Sequence, residues 1–146
     1  MAVTKIGKTP TKRETQCKKP TGFFGRLTLR RMNKSHSKLT DWGLTHTTVE
    51  LQFTVLDVGC GGGRTISKLA AMAAQGTVHG IDYSEESVAA SRRYNAQAIR
   101  DGRVEIHLAD VGKLPFPDNT FDLVTGVETH FWWADIAPDC AKSGVC

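Results

Sequence analysis

The run Thr54-Val55-Leu56-Asp57-Val58-Gly59-Cys60-Gly61-Gly62-Gly63 constrains this chain more than any other stretch. Its first half is a short apolar segment of strand type. Its second half is nearly all glycine, which lets the backbone turn tightly and approach a ligand closely. Behind it Ile66, Leu69, Ala70 and Ala73 recur at i, i+3, i+4 and i+7, the period of an amphipathic helix. Strand, glycine turn and helix in that order leave the free N–H groups of a helix N-terminus beside the turn.

The same alternation continues. Gly76 ends the helix, and Thr77–Asp82 reads as a second strand. Ser84 stands where an N-cap belongs, with Glu85 and Glu86 at the positive end of the helix dipole. That helix is expected to run to about Arg100 and to close at Gly102. Val104 to Ala109 is a third strand, Pro115 and Pro117 mark a loop, and Phe121 to Val127 is a fourth strand. There are no internal repeats. Strands and helices alternating at this spacing predict an α/β fold with a parallel sheet and right-handed crossovers.

A nucleoside ligand suits the glycine turn. Asp82 closes the second strand nineteen residues after Gly63, where a carboxylate can accept both hydroxyls of a ribose. A dinucleotide fingerprint starting at Gly59 would need glycine at position 64, and Arg64 stands there instead. Asp57 repels a bound phosphate and attracts a cation. S-adenosylmethionine carries two cationic groups, an α-ammonium and a sulfonium.

Four motifs, in order and at the family's spacing, resemble the class I S-adenosylmethionine-dependent methyltransferases. Val55–Gly63 is similar to their first motif, and Gly80-Ile81-Asp82-Tyr83-Ser84 to their acidic second-strand motif. Ala109-Asp110, then Leu114-Pro115-Phe116, resembles the third-strand motif; Asn119-Thr120-Phe121-Asp122-Leu123-Val124 resembles the fourth. The resemblance covers roughly residues 52–134 and is nearest to the ubiquinone–menaquinone C-methyltransferase branch and its small-molecule relatives. It implies a Rossmann-like, doubly wound sheet with its first four strands ordered 3-2-1-4. It implies methyl transfer from S-adenosylmethionine to a small-molecule acceptor, by in-line displacement and with no metal.

The implied roles fall on matching positions. Asp57 and the Gly59 backbone would hold the methionine ammonium, and Gly61 and Gly63 would make room along the loop. Asp82 would bind the ribose, with Tyr83 against the adenine. Asp110 would accept the adenine amino group, with Val111 beside it. Val127 and Glu128 would lie near the methionine part. Several positions also have a plain structural reading: Asp57 as a loop carboxylate, Asp82 as a cap for the helix near Ser84, Asp110 as a turn residue before Gly112, and Tyr83 as packing. Beyond the fourth strand, His130 is a candidate general base, and Trp132 and Trp133 are candidates to line an apolar acceptor pocket. His36, His46, His79 and His107 show no metal-ligand spacing.

Outside the resemblance the chain changes character. Its net charge of +4 divides sharply. Residues 1–40 hold eleven Lys and Arg against Glu14, a balance of +10, and the remainder holds eight against fourteen acids, a balance of −6. The domain expectation is a disordered basic arm over 1–22, an N-terminal helical segment over 23–50, a partial cofactor-binding domain over 51–134 and an atypical tail over 135–146. Within 23–50 an amphipathic helix is expected from Phe23 to His36, with Phe24, Leu27, Arg31 and Met32 near one face. A break is expected at Trp42-Gly43, with a second short helical stretch after it. Few aromatics interleave with the arm's charge, so a solvated tail is favoured over a nucleic-acid contact. Cys17, Cys60, Cys140 and Cys146 match neither a disulfide framework nor a zinc site and read as reduced cytoplasmic thiols, with Cys140–Cys146 as the alternative pairing. No apolar run reaches membrane-spanning length. The tail departs from the family, so the sequence reads as a truncated product of doubtful activity. Its alternative is a non-catalytic, cofactor-binding remnant or an incompletely folded fragment. The fourth strand would then be an exposed edge open to self-association.

Overall fold

The computed structural model describes Thr21, Gly22, Phe24, Gly25, Leu27, residues 37–127 and Thr129. Expectations for most of the basic arm, for Arg31, Met32, Glu128, His130, Trp132 and Trp133, and for the tail lie outside these residues. The described chain forms α1 (Ser37–Thr45), β1 (Thr54–Val58), α2 (Arg64–Met72), β2 (Thr77–Asp82), α3 (Glu85–Tyr94), α4 (Ala96–Arg100), β3 (Val104–Leu108), a 3-10 turn (Val111–Lys113) and β4 (Leu123–Thr125). The four strands form one parallel sheet in the order β3-β2-β1-β4, as the family resemblance implies.

Period-two alternation sends side chains to the two faces of this sheet. Val55, Val78, Val104 and Ile106 point to one face, where Ile66 and Leu69 of α2 and Val88 of α3 cover them. Leu56, Val58 and Ile81 point to the other, where Val111, Leu114, Phe116 and Phe121 from the β3–β4 connection pack. Both faces are therefore apolar, which explains why β1 reads as a near-continuous hydrophobic run.

Three boundaries differ from expectation. The helix expected from Ser84 to about Arg100 is two helices, divided at Asn95. The Asn95 amide donates to the carbonyls of Gly63 (2.9 Å) and Ser91 (3.0 Å), and its backbone leaves helical geometry at φ −103, ψ 20. Near the N-terminus the expected break at Trp42-Gly43 lies inside α1, and no second helix follows it before β1. The helix stops at Thr45, where side chains occupy the last carbonyls. Thr45 Oγ1 donates to the Trp42 carbonyl (2.6 Å) and Thr47 Oγ1 to that of Gly43 (3.1 Å). Finally, β4 is shorter than Phe121–Val127. Phe121 turns into the second core against Phe116, with ring centroids 4.9 Å apart, and the Asp122 carboxylate accepts the Thr54 N–H at 2.7 Å.

Sequence spacing hides one cluster that the sheet assembles. Parallel register sets His79 of β2 beside Glu105 of β3, and His107 follows two residues later on the same face. Phe116 and Phe121 meet the His79 ring edge-on at 5.5 and 5.4 Å.

The far end of α2 is held from β3. The Arg103 guanidinium donates to the carbonyls of Ala70 (2.9 Å), Ala73 (2.6 Å), Ala74 (2.6 Å) and Gly76 (2.8 Å). A cation there also complements the negative end of the helix dipole. Arg103→Ala should lower unfolding free energy by about 2–3 kcal/mol in urea titrations. Arg103→Lys should recover only part, because an ammonium lacks the planar fork. An unchanged midpoint in both variants would mean that water replaces the guanidinium at no cost.

Candidate functional site

After Val58 the chain must turn from β1 into α2. Gly59 N–H and Cys60 N–H both donate to the Ile81 carbonyl, at 2.8 and 2.9 Å, and Gly63 N–H donates to the Cys60 carbonyl at 2.9 Å. Gly59 and Gly63 hold φ values of 73 and 83, in the left-handed region that favours glycine. A Cβ at Gly59 would overlap the Thr129 side chain. One at Gly63 would stand 2.5 Å from both Asn95 Nδ2 and Ser91 Oγ. Gly63 thus admits a helix contact where the resemblance implied room for a ligand. Gly61 differs: only the Gly59 carbonyl comes within 4.0 Å of the place a Cβ would take, so this part of the loop faces open space.

Two carboxyls lie beneath and beside the loop. The Asp82 carboxylate accepts the Gly61 N–H (3.0 Å) on one oxygen and the Ser84 N–H (2.9 Å) on the other. It ties the open part of the loop to the end of β2. The cap of α3 is Ser84 itself, whose hydroxyl accepts the Ser87 N–H at 3.4 Å. Burial pushes the Asp82 pKa up, against the pull of its N–H donors. Asp57 is more enclosed, at 2% exposure. It faces its register partner Thr125 across β1 and β4, and accepts the Thr125 hydroxyl at 2.8 Å. Burial pushes its pKa from 3.8 to about 7; the Thr125 hydrogen bond opposes this and the Asp82 charge adds to it.

The remaining candidates rim this end of the sheet. Tyr83 is half-buried, and its phenol is pushed up to about 12 by burial, with the Asp82 and Asp110 charges adding. Asp110 is exposed and accepts the Gly112 N–H at 2.8 Å, so it caps the 3-10 turn, as its plain reading holds. Val111 is buried in the second core, and Val127 is half-buried past β4. Thr129 Oγ1 donates to the Val58 carbonyl at 3.1 Å, closing the segment after β4 over the loop. Asp57, Gly59, Gly61, Gly63 and Asp82 therefore meet at the carboxyl ends of β1 and β2. Strand order reverses between β1 and β4, the switch point where open α/β sheets form their ligand crevice. Sequence reasoning missed Asn95 and Thr129, which bond to the two ends of the loop, Ser91, which packs against Gly63, and Thr125, which bonds to Asp57. Only the Ser-Asn polarity of an otherwise core-facing α3 surface hinted at two of them. The Cys60 thiol is buried in the first core, and that burial pushes its pKa up and disfavours the thiolate.

A parallel sheet with a glycine loop at its switch point and a carboxylate ending the next strand defines a Rossmann-like α/β domain. Residues 55–142 match the family described as "Methyltransferase domain", and the chain belongs to this family of class I S-adenosylmethionine-dependent methyltransferases. It is 42% identical over 72 residues to demethylmenaquinone methyltransferase of Symbiobacterium thermophilum, a match covering 49% of this chain and 29% of that protein. It is 40% identical over 77 residues to 27-O-demethylrifamycin SV methyltransferase of Amycolatopsis mediterranei, covering 51% and 27%. The chain thus spans under a third of the length of these curated relatives. A solved SAM-dependent methyltransferase from Aquifex aeolicus superposes with a TM-score of 0.70 at 23% identity, covering 80% of this chain and 64% of that one. Among the described residues no helix is long and apolar enough to cross a membrane.

The raised Asp57 pKa has a direct consequence for stability. Between pH 3.8 and about 7 the folded carboxyl keeps a proton that the unfolded one has released. Its contribution to folding is therefore most favourable below that window, falls as pH rises through it and levels off above. Asp57→Asn keeps an acceptor for Thr125 and removes the ionisation. From pH 4 to pH 8 the variant should gain up to about 4 kcal/mol relative to the parent in denaturant titrations. His79, whose pKa burial lowers, works the opposite way in both proteins and cancels in the comparison. A stability difference independent of pH would show that Asp57 ionises normally.

Proposed function

We propose that this chain binds S-adenosylmethionine across the Gly59–Gly63 loop and serves methyl transfer to a small organic acceptor. The observation that carries the reading is the union of the open Gly61 backbone with the Asp82 carboxylate, which accepts the Gly61 N–H at 3.0 Å. The N–H groups of Gly61, Ser84 and Tyr83 and the Ser87 hydroxyl all donate to Asp82, and a ribose hydroxyl would take the place of the rotatable Ser87 donor. Tyr83 and Val111 give the adenine an apolar flank, and Asp110 is exposed to receive its amino group. Asp57 lies beneath the loop, where the ligand's ammonium would favour its ionised form over the protonated form that burial favours. Gly59 and Val127 border the methionine part, with Glu128 next in sequence.

When bound, the cofactor supplies an electrophilic methyl on a sulfonium. The protein's share is alignment of donor and acceptor, which removes roughly 7–11 kcal/mol of barrier when geometry is well set. His130, next in sequence to the Thr129 that closes over the loop, is the candidate base for an acceptor that must lose a proton. Relatives named for demethylmenaquinone and 27-O-demethylrifamycin SV support a small-molecule acceptor rather than nucleic acid.

Calorimetric titration should show S-adenosylhomocysteine binding more tightly than NAD, because Arg64 stands where a pyrophosphate loop needs glycine. Tighter binding of NAD would overturn the assignment. Asp82→Asn should weaken S-adenosylhomocysteine at least about tenfold, the loss of one charge-assisted hydrogen bond. Circular dichroism should confirm that the variant is folded. Unchanged affinity in the folded variant would reduce Asp82 to a brace for the loop.

A further inference from the structure

We propose that His79, Glu105 and His107 form a binding site for a divalent cation of the zinc class, on the sheet face opposite α2 and α3. His79 Nδ1 and His107 Nε2 are both enclosed and have no hydrogen-bond partner. Each instead faces the same carboxylate oxygen, Glu105 Oε2, at 3.6 and 3.4 Å. These separations are long for hydrogen bonds. They are close to the roughly 3.3 Å that separates ligand atoms around a tetrahedral ion with bonds of about 2.0–2.1 Å. The three residues offer ligand atoms within 4.8 Å of one another, so a small movement of the exposed Glu105 and half-buried His107 side chains would bring all three onto one ion.

Strand register gathers this set on one face. Register places His79 opposite Glu105, and His107 shares their face at i+2. The two imidazoles stack at 5.9 Å with their planes 14° apart, and Phe116 meets the His107 ring edge-on at 5.2 Å. The aromatic wall fixes ring orientation and shields one side. The Glu105 side chain is 58% exposed, which leaves an entry path from solvent. Two imidazoles and one carboxylate suit zinc, with water completing the fourth position. Each histidine precedes a proposed cofactor carboxylate by three residues, His79 before Asp82 and His107 before Asp110. A bound ion would pin β2 to β3 just below the proposed cofactor contacts. The site does not depend on the cofactor reading, and its test uses no cofactor.

The test is calorimetric titration of the full chain with Zn2+ at neutral pH in a reducing, non-chelating buffer, together with Co2+ absorption spectra. The expected result is one ion per chain, a Co2+ spectrum of nitrogen and oxygen ligands without thiolate charge transfer, and a thermal midpoint that rises with Zn2+ concentration. Glu105→Gln and His107→Gln alter partly exposed side chains, and circular dichroism should confirm that they fold. Each should weaken Zn2+ by more than about tenfold, since loss of even an outer-shell partner costs that much. Absence of saturable binding in the parent, thiolate-type Co2+ spectra, or unchanged affinity in both folded variants would overturn the proposal.

Discussion

The reversal of the chain after β1 sets the terms for everything around it. One carbonyl, that of Ile81, accepts two consecutive N–H groups from Gly59 and Cys60. This fixes the loop to the end of β2 before any side chain contributes. Buried N–H groups must find partners, and here a neighbouring strand supplies the acceptor. Gly80 permits the approach: a Cβ there would come within 2.8 Å of Ile66 and 3.2 Å of the Cys60 Cβ. The loop is thus a product of strand pairing and close packing as much as of its own glycines.

Enclosure of two acids in this corner follows from the same geometry. Asp57 stands one residue before the end of β1 and Asp82 ends the adjacent β2, and both are buried. Water is excluded, so both resist ionisation, and hydrogen bonds from Thr125, Gly61 and Ser84 offset part of the cost. Such an arrangement stores electrostatic potential that a cationic ligand can relieve. A neutral core would be more stable but would offer a charged ligand nothing.

Periodicity made the strands, their faces and the glycine turn legible, because each is written in residues close together in sequence. The four-strand order came from family resemblance rather than from pattern, and the sheet bears it out. What stayed hidden depends on contacts between distant residues. The division at Asn95 comes from its bond to Gly63, across 32 positions. The fourfold clasp of Arg103 on α2 looks in sequence like an ordinary surface cation. Gly63 reads as ligand space, although it serves a helix contact. His79, Glu105 and His107 converge only through parallel register, which no local spacing encodes. The turn reading of Asp110, by contrast, was visible because its partner lies two residues away.

The way α2 is held has a consequence for synthesis on the ribosome. Its start is fastened by Asn95 to the Gly63 carbonyl, and its end, with the turn that follows, by Arg103 to four carbonyls. Neither fastening belongs to the strand–loop–helix unit it secures. A nascent chain that has released only β1, the loop and α2 holds the whole glycine motif yet lacks both anchors. The loop gains these two side-chain anchors only after a further stretch of about thirty residues has emerged, from Ala73 to Arg103. Folding of the motif is therefore delayed relative to its translation, and the early chain passes through an interval in which its most ligand-like segment is still unformed.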